Sequence, residues 1–525
     1  MKNKITYLIL SLFILTTSCE LEELVVDRFT PETFYKTEAD AHAAINGAYS
    51  ELTSFAYYKY SYSAPILLSS DAIFSTKNDE YSQYSKKTYS SSSNYLRNSW
   101  NSIYHVVNNS NLVLEYVPQM EINEAVKNRI TGEAYFLRAL SYLNLVRSYG
   151  GVPLKLKATL DDSDLHTPRA SKEEVYQQIF EDLKMAIQLM PVASEQPTAE
   201  YGRATKGSAQ ALLALAYLTH GDWTEAKEYA DQVINSGEYS LVADFGDLWD
   251  VNKEKQNGQE VIFAVKFARD GLESLARSIG SEFALRMLPN SARGLTGHPK
   301  GAGTSHLQIQ PYFYDIYTTG QYEGDYRAEK TFFTEWTGDN GKIFTSYPNP
   351  SAGGIHKKGA YIGKYIDPDG YDTRNHENDL NIIRYAEVLL IKAEAANELG
   401  LTAEAYDAFN QVRKRARNAD GITRTTPADL TPGLSKDEFR DAVFNERGAE
   451  LIGEGQRWFD LLRMKRANGT TYYEYMFNEF VPSLPADKFE QSSIVWNPKN
   501  LLFPIPVGEI VNNTAINPED QNPGF

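Results

Sequence analysis

Apolar residues recur at i, i+3, i+4 and i+7 through several long stretches of the chain, the mark of helices that bury one face. The plainest stretch is Thr205 to Gly237, where Ala214, Tyr217, Trp223, Ala226, Ala230 and Val233 hold the pattern and Gly221-Asp222 supplies a tight turn. Arg384 to Arg417 repeats it through Ala393, Ala396, Gly400, Ala405, Phe409 and Val412. A third copy is split: Glu133 to Tyr149 gives one helix and Ser171 to Met190 the other, across a loop from Gly150 to Ala170. Ser435 to Arg466 is a fourth pair, with Ser435 as N-cap and Glu438 three residues on as its capping box. Dense opposite charges at helical spacing, among them Arg384, Glu387, Glu446, Arg447, Glu450, Glu454 and Arg463, predict ion pairs within the frame.

Small residues recur where paired helices approach, as in tetratricopeptide-like repeats. A lone pair cannot bury its apolar face, so stacked pairs share a core. The expected fold is mainly α, with pairs near 129–190, 205–237, 384–417 and 435–466. Two excursions, near 54–100 and 238–383, have another texture: Gly, Pro, Asn, Asp and aromatics. Glu260 to Phe267 alternates as a short strand, and Gly338 to Gly341 is a turn. Long loops on a rigid frame are where binding residues concentrate.

The N-terminus reads as an address. Lys2 and Lys4 precede an apolar run, Ile5 to Thr17, too short for the ~20 residues of a spanning helix. Residues 1–18 are therefore a signal peptide, and 19–525 a single domain. Cys19, the only cysteine, follows Thr16, Thr17 and Ser18, as in bacterial lipoprotein signals, which implies a lipid on Cys19. The chain departs from that pattern at Thr16, where such signals carry Leu. Glu20, Glu22 and Glu23 resemble signals that send lipoproteins to the cell surface.

Composition narrows the function. With 52 Lys+Arg against 69 Asp+Glu, the formal charge of −17 repels phosphate backbones and argues against nucleic acid. No G-x-S-x-G, H-E-x-x-H or P-loop is present. The eight histidines are scattered, so no metal site or cofactor is expected. Asp367-Pro-Asp-Gly-Tyr-Asp372 resembles a fragment of a calcium loop but lacks the Gly and Glu that complete one, leaving it a candidate for structural calcium only.

Several blocks together resemble the SusD/RagB family of outer-membrane nutrient-binding lipoproteins. They are GEAYFLRALSYLNLVRSYGGVPL (132–154), RYAEVLLIKAEAA (384–396), NERGAELIGEGQRWFDLLR (445–463) and the ending LLFPIPVGEIVNNTAINPEDQNPGF. The resemblance implies a lipid-anchored, cell-surface protein of the outer membrane. It would capture oligosaccharide without chemistry and deliver it to a SusC-like TonB-dependent transporter. A RagB-like peptide binder is the alternative, and a secreted glycan-active enzyme or a pure interaction protein the rivals from other classes.

A glycan site needs flat rings for the apolar sugar faces and polar groups for the hydroxyls. Between Tyr57 and Tyr104 there are nine tyrosines, where the chain-wide 35 in 525 would give about three. Candidates from this region are Asp71, Tyr81, Tyr84, Trp100 and Asn101; Trp100 and Tyr104 at i, i+4 equally suit a core face. From the middle excursion come Tyr326, Trp336, Tyr361 and Tyr365, with Arg293 and Lys364 as donors.

Overall fold

The computed structural model describes residues 30–77, 79–160, 165–253, 259–268, 279–289, 303–338, 341–351, 353–367, 376–490 and 497–525. Residues 1–18, read above as a signal peptide, and Cys19 and Arg293 lie outside them.

The fold is mainly helical, and all four expected pairs are present. Numbering from the first long helix, α1 is Glu38–Leu52 and α2 is Asn94–Tyr116. The first repeat pair is α3 (Glu124–Tyr149) and α4 (Lys172–Leu189), the second α5 (Lys206–His220) and α6 (Trp223–Asn235). The third is α7 (Tyr385–Glu398) and α8 (Thr402–Ala416), the fourth α9 (Lys436–Leu451) and α10 (Arg457–Arg463). Neighbours pack in sequence order, α1 on α2 through α5 on α6. The stack then continues α6 on α7 across the whole middle excursion. Among the described residues the main hydrophobic core runs from Ala41 to Ile505, with a small separate cluster at Trp336 and Tyr361.

Local chemistry sets the ends. Ser435 Oγ accepts from the Glu438 amide and Glu438 returns the bond to the Ser435 amide, as the sequence predicts. Gly221, at φ 99°, closes α5 in the left-handed region where a side chain would be strained. Two features differ from the sequence reading. Helix α3 starts at Glu124, nine residues before the expected Glu133, because the Asn123 carboxamide caps it. The early excursion is partly helical, since α2 begins inside it and packs with α1 against α3.

The strands are short antiparallel pairs. β1 (Ile73–Phe74) pairs with β3 (Gln308–Ile309), and Ile309 bridges to Ala360 beside β7 (Tyr361–Ile362). β7 pairs with β4 (Phe332–Phe333), so the early and middle excursions meet. β2 (Val261–Val265), the strand expected from alternation, pairs with β8 (Leu380–Arg384). β5 (Glu335–Thr337) and β6 (Ile343–Thr345) form a hairpin.

A buried charge network ties the middle excursion to the third and fourth pairs. Arg327, Lys364, Arg384, Arg413 and Arg415 face Glu260, Asp325, Glu446, Glu450 and Glu454, all 5% exposed or less by side chain. Five cations against five carboxylates leave the cluster neutral, which low-dielectric burial demands.

A candidate ligand-binding face

The strand contacts bring one loop of the early excursion against two segments of the middle one. After β1 the chain turns at Asp79, whose carboxylate caps the short helix Glu80–Ser85 by accepting from the Tyr81 amide at 3.1 Å. This points Tyr81 toward Tyr95 near the start of α2 and toward His306 just before β3; each ring centroid is 4.8 Å from that of Tyr81. Tyr60 meets Tyr81 edge-on at 4.9 Å, and Phe55 stacks on Tyr60 at 5.5 Å. The Arg286 guanidinium, from the helix Phe283–Met287, lies 4.5 Å over the Tyr60 ring and bonds Glu282. Phe55 is 40% exposed, Tyr95, Arg286 and His306 are half-buried, and Tyr81 shows only an edge. Rings and polar groups thus share one face.

His306 is held neutral on this face. Burial, with the charges of Arg286 and Lys77 nearby, lowers its pKa to about 3. Its Nδ1 faces the Arg286 guanidinium at 3.3 Å and the Thr304 hydroxyl at 3.0 Å. The guanidinium can only donate, so Nδ1 accepts from it and the ring proton sits on Nε2, 4.0 Å from Asp79, while the Thr304 hydroxyl donates to the Leu285 carbonyl. A second aromatic cluster lies alongside and includes His356, whose pKa burial and the charge of Lys77 lower. There Trp336 stacks between Phe333 and Phe344 and meets Tyr361 edge-on at 5.8 Å. The Tyr361 hydroxyl bonds Ser305, the residue before His306, at 3.2 Å.

Of the residues singled out from sequence, Tyr81 sits on this face, while Trp336 and Tyr361 back it. The last two are 2% and 0% exposed, so they support the face and cannot serve as platforms. Asp71 is a correction: it is fully buried and paired with Arg457 through both oxygens, at 2.9 and 2.8 Å. It anchors β1 to α10. Tyr84 is in the core beside Tyr89 and Phe503, bonded to Ser93. Tyr365 is buried and donates to the Gly453 carbonyl at 3.0 Å. Lys364 is buried on Glu454 at 2.9 Å, and Tyr326 is buried beneath Lys330 and Arg424. Trp100 is buried and donates to Glu509, while Asn101 is exposed; both line a separate groove of about 310 Å³. Of the calcium-like stretch only Asp367 is described, buried and accepting from the Glu377 amide. The described residues hold no cluster of three metal-ligating side chains.

Phe55, Tyr60, Tyr95, Arg286 and His306 were not chosen from sequence. Tyr60 and Tyr95 lay within the tyrosine excess. Phe55, Arg286 and His306 reach the face only through tertiary folding.

Lys87, close to Asp71, makes no ion pair among the described residues. It is buried, donates to the Ser69 carbonyl and lies 5.6 Å from the Phe477 ring. Burial lowers its pKa to about 7, partly countered by Asp71. An unfolded lysine titrates near 10.4, so between about pH 7 and 10 the unfolded chain binds a proton that the folded chain does not. Stability therefore rises with pH across that window, by at most ~1.4 kcal/mol per unit. We expect wild type to gain on Lys87→Met between pH 7 and 9.5 in urea unfolding; parallel curves would contradict the assignment.

A mainly helical frame of stacked hairpins, with an aromatic and polar face raised on its excursions, defines a repeat-scaffold protein of the SusD type. The chain belongs to the SusD family: that family's model matches residues 259–525, and a second, described as starch-binding associating with outer membrane, matches 27–218. It is 29% identical over 544 residues to SusD-like protein P2 of Formosa agariphila, covering all of both chains. Among solved structures it resembles a SusD homolog from Bacteroides thetaiotaomicron, with TM-score 0.82 and 21% identity over 94% of this chain and 98% of that one. A laminarin binding SusD-like protein matches with TM-score 0.72 and 24% identity over 94% and 100%. Surface glycan-binding protein A from Bacteroides uniformis matches with TM-score 0.73 and 22% identity over 93% and 99%.

Proposed function

We propose that this chain is a non-catalytic cell-surface protein that binds an oligosaccharide nutrient on the face built by Phe55, Tyr60, Tyr81, Tyr95, Arg286 and His306. The observation that carries this is the joining of two open rings, Phe55 and Tyr95, backed by the buried Tyr60 and Tyr81, with an arginine and a neutral histidine. The rings suit the apolar faces of sugars, and the donors suit their hydroxyls. Solved relatives of the same fold include a laminarin binding protein and a surface glycan-binding protein. Catalysis has no support from the prominent carboxylates of the frame, since Glu446, Glu450 and Glu454 are buried in ion pairs. The bound glycan passes to a SusC-like TonB-dependent transporter, as the family resemblance implies.

Titration calorimetry against a glycan panel tests the reading, with roughly micromolar to millimolar affinity expected for one member. Heat with peptides and with no glycan would favour the RagB-like alternative. Sustained release of reducing sugar would overturn the non-catalytic assignment.

Lipid on Cys19 holds the protein at the outer membrane in this reading. Several acyl chains, at about 0.8 kcal/mol per buried methylene, make such an anchor stable. Labelled palmitate should enter the wild-type protein and be lost in Cys19→Ala; label retained in the variant would remove the anchor.

A further inference from the structure

A cavity of about 780 Å³ opens on the helical frame, away from the residues of the aromatic face. It lies between the end of α3, the start of α4, the α5–α6 turn and the segments around α9 and α10. Its walls mix half-buried apolar groups, Trp223, Leu462 and Leu501 among them, with charge. Six cations line it, Arg147, Lys172, Arg440, Arg463, Lys465 and Arg466, against three carboxylates, Glu394, Glu398 and Glu474. A lining of +3 is notable on a chain whose formal charge is −17.

The carboxylates are already engaged. Glu394 binds Arg463, Glu398 binds Arg440 and Lys436, and Glu474 caps its own helix through Thr471. Arg147, Lys172, Lys465 and Arg466 are left without an ion pair among the described residues. Arg147 is held over the Phe459 ring at 4.1 Å and donates to the neutral amides of Asn144 and Gln456. Arg466 lies 3.6 Å over Tyr475, and Lys172 5.6 Å over Tyr176. Rings therefore position three of the four cations, and none of the three is neutralised.

We propose that this groove binds an acidic segment of a partner polypeptide. Carboxylates of the segment meet Arg147, Lys172, Lys465 and Arg466, while its aliphatic side chains lie on Trp223, Leu462 and Leu501. The apolar walls select peptide over a bare polyanion, because they need side chains to cover them. The uncompensated cations select acidic sequence and speed encounter. The site is independent of the glycan face.

The test uses the full chain and a short labelled peptide of Glu, Leu and Ala, read by fluorescence anisotropy at two salt concentrations. The Glu peptide should bind, weaken with salt, and lose about tenfold or more when its Glu are replaced by Gln. Lys172→Glu with Lys465→Glu should abolish binding. Both side chains are exposed, and Lys172 is the first residue of α4, where an acidic residue favours the helix. Loss of binding at an unchanged melting temperature then reports the groove and not misfolding. Equal binding of the Gln peptide, undiminished binding by the charge-reversed variant, or no binding of the Glu peptide would overturn the proposal. Capture of an oligouronate in place of the peptide would overturn the ligand class.

Discussion

Glu450→Ala should lower the unfolding free energy by at least about 3–5 kcal/mol, the cost of breaking a buried ion pair by removing one partner. Glu450 is the hub of the buried network: it reaches Arg327 at 3.0 Å and Arg384 at 3.1 Å, and pairs with Arg415. Its backbone carbonyl also accepts from Lys364 at 2.8 Å. Without the carboxylate, five buried cations would face four acids in a medium that screens poorly. Burial alone would raise the pKa of Glu450, but Arg415, Arg384, Arg327 and Lys364 hold it far below the usual carboxylate range. The sign follows. A depressed carboxyl contributes stability that is present above its unfolded pKa and lost as pH falls through the folded one. Acid to about pH 4 should therefore leave the hub charged. Denaturant unfolding at pH 7 measures the effect; a loss under ~1 kcal/mol would show that the network is not a staple. Because Glu260, Arg327 and Lys364 belong to the middle excursion, the variant should loosen the segment that carries the ligand face as well as the frame.

The frame was legible because its signals are local. Helical period, the Ser435–Glu438 box and Gly221 each act within a few residues, so periodicity and capping located all four pairs. The charged residues at helical spacing were also read correctly as scaffold. The face was harder, because a tyrosine excess does not say which rings face solvent. Tyr84 and Tyr365 differ from Tyr81 only in what packs over them, and Asp71 is removed from the surface by Arg457, 386 residues away in sequence. Arg286 and His306 carried no local signal. They join Tyr81 only because β1 pairs with β3, a contact between strands two residues long.

Removing the exposed rings should weaken glycan binding most. Phe55 and Tyr95 carry the ring surface that remains open, while Tyr60 and Tyr81 lie beneath them. Truncating an aromatic anchor at a binding surface costs ~2 kcal/mol or more, roughly thirtyfold in Kd, so Phe55→Ala with Tyr95→Ala should take a weak ligand below detection. Tyr84→Phe serves as the contrast: it removes a buried hydroxyl bond to Ser93 and should cost stability while leaving affinity unchanged. Affinity should also be flat between pH 5 and 8, since His306 stays neutral well below that range. Calorimetry on the best glycan of the panel decides it. Undiminished binding by the double variant would move the site off this face, and the groove holding Trp100 and Asn101 would be the next to mutate, because it too joins rings with amides.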